Sequence, residues 1–302
     1  MRVLVTGASG QVGSATAERL KSNAGVIATD RKALDLSDLT AIPASLDNIA
    51  PDLVINTAAY TAVDRGEAEP ELAELVNALA PGVMAQWCAN HDVPLIHFST
   101  DYVFDGHGTQ AWSEHDTPRP LSAYGASKLA GEERIRAEGG CFLIIRTSWI
   151  YAARGTNFLR RIEGLAKTQK ELRIVADQVG APTSAALIAE TLSTMLEPGL
   201  PMFREKASEA AGLVHLTASG VASWYDFATQ IVEGLKSRGV PLAVEHIVPI
   251  HTEDYPLPAK RPLNSQLNLT RLKAVFGMTP PDWREALKPE LDQLARDLRQ
   301  MP

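Results

Sequence analysis

Tyr124-Gly125-Ala126-Ser127-Lys128 places a phenol and an ammonium four residues apart. On a helix that spacing puts both on one face. A phenol with an ordinary pKa near 10 is a poor acid at neutral pH. A cation beside it favours the phenolate and so makes the proton easier to give to a nascent alkoxide. The plainer alternative is a surface helix pair. A second piece is Ser99-Thr100-Asp101-Tyr102-Val103-Phe104, which follows an apolar run. A hydroxyl there, Thr100 or Ser99, could hydrogen-bond a substrate carbonyl and the phenol together; otherwise Thr100 simply caps a turn. A third is Gly7-Ala8-Ser9-Gly10-Gln11-Val12-Gly13. Such glycines let backbone N–H groups approach a phosphate at a helix N-terminus, where the dipole favours negative charge. The spacing is GxxGxxG, not GxGxxG, and a tight turn without a ligand is the alternative.

These groups need a scaffold, and the first half supplies one. Arg2–Thr6, Gly25–Thr29, Leu53–Asn56, Pro94–Ser99 and Phe142–Arg146 read as short apolar strands. Val12–Lys21, Pro81–His91 and Tyr124–Glu138 read as helices between them. Apolar strands alternating with helices predict a doubly wound, Rossmann-like parallel sheet in an α/β domain over residues 1–150. Asp30 ends the second strand about 20 residues past the glycine loop, where an acid can take a ribose 2′-hydroxyl and favour NAD. Arg31 and Lys32 follow at once and could pair with a 2′-phosphate, so opposite preferences stand side by side. Asp35 and Leu36 could contact adenine, or Asp35 could cap the turn before Ser37.

After residue 150 the rhythm weakens. Asn157–Lys167, Ala185–Leu196, Trp224–Arg238 and Asp292–Arg299 read as helices, Glu197–Gly212 as a surface loop, and Pro249–Pro262 as extended chain. Residues 151–302 are expected to form a smaller mixed α/β cap that binds substrate, with some segments returning to the first domain. The 302 residues are 45% hydrophobic and 22% charged, an ordinary globular balance. A net charge of −7 argues against nucleic acid or an anionic membrane surface as partner. Two cysteines, no apolar span of membrane length and no signal-peptide pattern predict a cytoplasmic protein. No HExxH, CxxC or GxSxG motif occurs, so neither a metal centre nor serine hydrolysis is expected.

Together these residues carry a resemblance. Gly7-x-x-Gly10-x-x-Gly13 with Tyr124-x-x-x-Lys128 resembles the extended short-chain dehydrogenase/reductases. Over nearly the whole chain the sequence is similar to the dTDP-4-dehydrorhamnose reductase family. The matching segments are Gly10–Gly13, Asn56–Asp64, Ser99–Phe104, Tyr124–Glu132, Arg146–Tyr151, Asp177–Thr183 and Arg261–Ser265. The resemblance implies hydride transfer from NADPH, or NADH, to C4 of a 4-keto-6-deoxy sugar nucleotide. It implies Tyr124 as acid, Lys128 on the nicotinamide ribose and Thr100 on the C4 oxygen. It also implies Tyr102 and Trp149 as walls of the sugar pocket, with Asp101, Arg261, Asn264 and Ser265 on the substrate. Trp149 could instead be core packing, and Arg261, Asn264 and Ser265 could make loop hydrogen bonds. Ala58, Ala59, Tyr60 and Thr61 should pass under the cofactor, and Phe98 should touch it unless it is core. Some members hold magnesium at a dimer interface through two glutamates; Ala15 and Ala186 stand there in this chain, which removes the carboxylates Mg²⁺ wants. A homodimer remains open. Two alternatives stay beside the reductase: a sugar-nucleotide epimerase or dehydratase, and a non-catalytic NADP-binding regulatory subunit.

Overall fold

In the computed structural model, which describes residues 1–300, a six-stranded sheet organises the chain. Its strands are β1 (Arg2–Thr6), β2 (Gly25–Thr29), β3 (Leu53–Asn56), β4 (Leu95–Thr100), β5 (Phe142–Thr147) and β6 (Leu213–His215). They lie in the order β6-β5-β4-β3-β1-β2, and every pair is parallel. Alternating side chains cover the two faces. Val3, Val5, Leu53 and Ile55 pack with Ile188 and Leu192 on one side. Leu4 and Val54 pack with Ile42, Leu46 and Met84 on the other. Burial of both faces explains why the strands read as unbroken apolar runs.

The order makes β1 and β3 neighbours although β2 lies between them in sequence. That reversal opens a crevice beyond their carboxyl ends, where ligands of open α/β sheets bind. The glycine loop leaves β1 into this crevice and the 57–61 segment leaves β3 into it. The two backbones touch closely. A Cβ on Gly7, which has φ +65°, would stand 2.7 Å from the Ala58 backbone, and one on Gly13 would stand 2.3 Å from the Gly7 carbonyl oxygen.

The helix that carries the tyrosine–lysine pair runs over Ala123–Glu138, with the Ser122 hydroxyl accepting from the Gly125 N–H at its start. Its glycines explain its seating. A Cβ on Gly125 would meet the Tyr102 carbonyl oxygen at 2.2 Å, and one on Gly131 the Asn77 carbonyl oxygen at 2.1 Å. Asn77 belongs to a π-helical turn, Leu75–Leu79, inserted between helices Pro70–Glu74 and Ala80–Asn90.

The second half builds three two-stranded sheets and its own core, with Tyr151, Leu159, Ile162, Phe227, Ile231, Trp283 and Leu291 inside. It also gives β6 and the helix Ala185–Leu196 to the first half. Three sequence readings need correction. Glu197–Gly212 is not a loop: Leu200–Glu209 is a helix whose Phe203 and Ala207 are buried against the sheet. Its Pro and Gly residues sit at the ends, with Gly199 at the N-cap and Pro201 in the first turn, positions that such residues favour. The last helix spans Trp283–Gln300 and carries Pro289 within it. Pro249–Pro262 is only partly extended: strand His246–Ile250 runs into a short 3₁₀ turn at Thr252–Asp254.

Candidate active site

Thr100 is the last residue of β4, and Tyr124 and Lys128 lie in the first turns of the helix above it. The Thr100 hydroxyl accepts from the Tyr102 N–H at 3.2 Å, lies 3.1 Å from Asp101 Oδ1 and hydrogen-bonds the Tyr124 phenol. The Tyr102 ring meets the Tyr124 ring edge to face, with centroids 5.8 Å apart. Burial pushes the Tyr124 phenol up to about 12; the Thr100 hydrogen bond opposes this and the Asp101 charge adds to it. Lys128 is 2% exposed, and its Nζ lies 3.1 Å from His97 Nε2 rather than against the phenol. Burial brings the Lys128 ammonium down to about 8, with Glu132 pulling the other way.

Asp101 is buried and pushed up to about 7, because burial outweighs its hydrogen bonds to Ser265 and Thr100. Its Oδ2 has no partner. Ser265 thus brings the second half of the chain onto the end of β4. A neighbouring link is ionic: Arg261 donates to both oxygens of Asp64 at 3.0 and 2.8 Å and hydrogen-bonds Tyr102. Trp149 is half-buried at φ +49°, a conformation that costs a bulky residue of order 1–3 kcal/mol. It is held there by stacking on Trp224, centroids 3.6 Å apart, and by Gly180, where a Cβ would stand 2.8 Å from the indole. Trp224 in turn donates to Gln178. The sequence reading had no role for Trp224; only its aromatic type, at the head of a helix, marked it.

The glycine loop offers a place for a dinucleotide phosphate. Helix Gln11–Leu20 begins at Gly10 with no side-chain cap and no acid in its first turn, so its N–H groups remain available. Val12 and Gly13 are buried beneath it, and the buried Gln11 Oε1 has no partner. At the end of β2, Asp30 Oδ1 accepts from the N–H groups of Lys32 and Ala33, which shapes the turn. Arg31 is exposed and leans on Asp35 at 3.4 Å. Asp35 also receives the Ser37 N–H and hydroxyl, so it caps its turn, and Leu36 is buried in the core with Leu34. Phe98 is likewise 8% exposed within the core. Beyond β3, Ala58 and Ala59 are half-buried and Thr61 is exposed. Tyr60 is fixed by its hydroxyl on Glu69 and by Asn77, which bonds both its N–H and its carbonyl. Asn264 turns away from the phenol: its amide bonds the Gln110 carbonyl and Gln266.

Two buried groups support the site from below. Glu132 takes a bidentate pair from Arg146 at 2.7 and 2.6 Å and the Ser99 hydroxyl at 2.6 Å. Burial would raise its carboxyl, but these donors hold it below the usual range. His97 stands on the same strand two residues before Ser99, so both face the helix. Polar residues at 97 and 99 within an otherwise apolar strand mark the face these groups share, but nothing in the sequence pairs them with Lys128 and Glu132.

The chain matches the family described as RmlD substrate binding domain over residues 1–296. It is similar to dTDP-4-dehydrorhamnose reductase of Burkholderia thailandensis, 44% identical, covering 95% of this chain and 97% of that protein. The Escherichia coli K12 protein of the same name is 39% identical, with 97% and 98% covered. Among solved structures, a dTDP-4-dehydrorhamnose reductase from Clostridium acetobutylicum superposes with a TM-score of 0.89 at 37% identity, covering 97% of this chain and 99% of that one. The Bacillus anthracis dTDP-4-dehydrorhamnose reductase, solved in complex with NADP, gives 0.88 at 31%, again with 97% and 99% covered. Matched from its first residue nearly to its last, this chain belongs to the RmlD substrate binding domain family.

Proposed function

We propose that this protein is a reductase that converts dTDP-4-dehydro-6-deoxy-L-mannose to dTDP-L-rhamnose with NADPH. The observation that carries this reading is the Tyr124 phenol hydrogen-bonded to Thr100 at the end of β4, in a chain alike over nearly its full length to dTDP-4-dehydrorhamnose reductases. The glycine loop would hold NADPH, which when bound would supply the hydride that C4 takes up. Thr100 and Tyr124 hold the C4 oxygen, and Tyr124 gives it a proton as the carbonyl becomes an alcohol. The phenolate so formed regains its proton from solvent. Lys128 holds the nicotinamide ribose, and the uncapped helix start at Gly10 to Gly13 holds the diphosphate. Asp30 and Arg31 meet the adenosine ribose. Tyr102, Trp149, Arg261 and Ser265 form the sugar-nucleotide side, with Asp101 behind Thr100. Arg31 is exposed and held only by its contact with Asp35, so it can turn to a 2′-phosphate, which supports NADPH over NADH.

The test is an assay with dTDP-4-dehydrorhamnose. Oxidation of NADPH stoichiometric with product supports the reductase. Turnover without net oxidation would make the protein an epimerase or dehydratase. A folded protein that binds NADP and turns nothing over would make it a regulatory subunit. Among the described residues no helix is long and apolar enough to cross a membrane. Sedimentation velocity would read whether two copies assemble.

A further inference from the structure

We infer that Lys128 stands in this site as a neutral amine, and that His97 is the positioning residue that keeps it so by pointing its Nε2–H at the lysine nitrogen. Behind Lys128 and His97 lies Asn56. Its Oδ1 lies 3.2 Å from the Ala58 backbone nitrogen and takes the Thr6 hydroxyl at 2.6 Å. A backbone N–H can only donate, so the amide oxygen must face it. The Asn56 Nδ2 is thereby turned towards His97 Nδ1, 3.1 Å away. Nδ1 must accept, and it carries no proton. Neutral imidazole then holds its proton on Nε2, which lies 3.1 Å from Lys128 Nζ. An ammonium has only donors and would oppose this N–H. An amine has a lone pair to receive it.

All four side chains are buried, with Thr6 at 2%, Asn56 at 1%, His97 at 0% and Lys128 at 2% exposure. Water cannot relieve a mismatch there, and two buried donors face to face cost free energy. Burial also drives His97 well below its ordinary range, and this alone keeps the ring from being a cation. Burial, opposed by the Glu132 charge, brings Lys128 down to about 8, and a donor aimed at its nitrogen favours the amine further. Three other titratable groups surround the pair. Glu132 favours the ammonium, but its oxygens are engaged by Arg146, Arg136 and Ser99. Arg146 stays paired to that carboxylate, and Tyr124, one turn back, is held as the neutral phenol. Lys128 therefore becomes a cation only by taking a proton when its surroundings change.

The catalytic weight of this inference rests on the role given to Lys128 above; the protonation itself does not. The test uses the full-length protein with ¹⁵N-labelled histidine and ¹³C-labelled lysine. Long-range ¹⁵N–¹H spectra should show His97 in the Nε2–H form from about pH 6 to 9. The Lys128 ¹³Cε titration should have its midpoint below about pH 7, so that the amine is the resting form at neutral pH. In His97→Gln, whose amide oxygen can face Nζ, that midpoint should rise by at least one pH unit, a tenfold gain in proton affinity. An Nδ1–H or imidazolium form of His97, a wild-type Lys128 midpoint above about pH 7, or a midpoint unmoved in His97→Gln would overturn the inference. Should His97→Gln not fold, the wild-type tautomer and midpoint decide it alone. NADPH oxidation by the same wild-type sample reads the reductase proposal separately: an active enzyme with the wrong tautomer fails only the inference, and an inactive one with the right tautomer fails only the proposal.

Discussion

Tyr124 meets Thr100, Asp101 and Tyr102 within one turn of chain; Thr100 and Asp101 act on its proton in opposite directions, and Tyr102 packs on its ring. Removing the hydroxyl in Tyr124→Phe deletes the proposed acid but leaves the ring packed on Tyr102. Turnover should fall by about 10²–10⁴-fold, the usual worth of a positioned acid, while NADPH binding by fluorescence titration stays within about twofold. Retained turnover would assign the proton elsewhere. Arg31→Ala should weaken NADPH more than NADH, because only the former carries the 2′-phosphate that a guanidinium grips; the ratio of the two KM values reads it. Asp101 makes a prediction about pH. Its folded pKa, about 7, lies above the unfolded value near 3.9, so the native state binds the extra proton between these limits. Stability contributed by the protonated form is present below pH 4, is lost as pH rises to about 7, and stays lost above. Asp101→Asn should flatten that decline and stabilise the protein at pH 8 by roughly 1–3 kcal/mol, read from urea unfolding at both pH values. An unchanged pH slope would show that the carboxyl is ionised throughout.

Elements bring these residues together because their backbones come closer than side chains allow. The 123–138 helix lies against the Asn77 turn with no room for a Cβ at Gly131, while Gly164, on the exposed side of another helix, has open space around it. Gly131→Ala should therefore cost about 1–3 kcal/mol through overpacking. Gly164→Ala should gain up to about 1 kcal/mol from lower chain entropy. Equal effects on the denaturation midpoint would refute the distinction. Such close approaches also mark what was legible. The five strands and the 123–138 helix could be read because apolar runs and a cap residue announce them. Leu200–Glu209 was hidden because Pro198, Gly199, Pro201 and Gly212 look like loop punctuation yet serve as helix ends. The π-turn had no signal at all, since one extra residue in a helical turn leaves composition and spacing almost unchanged. Tyr124, Lys128 and Thr100 announced themselves by type and spacing. His97 and Asn56 did not, because their chemistry exists only once β3, β4 and the helix are stacked.

At the scale of the molecule, the two halves meet over the reacting groups through few polar links, and sequence alone gave no way to pair their partners. Asp64 follows β3, and Arg261 lies in the irregular stretch near the end of the chain, 197 residues later. The Asp64 carboxylate takes two guanidinium nitrogens' worth of contact and the Ala259 N–H as well, and the guanidinium holds the carboxyl below its usual range. The pair is only partly shielded from solvent, with side chains 18% and 38% exposed, so screening keeps its contribution to stability small. Its larger effect is geometric, because Arg261 also bonds Tyr102 at the mouth of the site. Asp64→Asn keeps the shape but removes the charge, leaving Arg261 free to swing from the position proposed to receive the sugar nucleotide. KM for dTDP-4-dehydrorhamnose should rise by about 5–50-fold, with kcat changed less than threefold and the thermal midpoint nearly constant, since orientation rather than proton transfer is disturbed. A drop confined to kcat would place Asp64 with the proton chemistry, and an unchanged KM would show that this bridge closes the two halves without guiding the substrate.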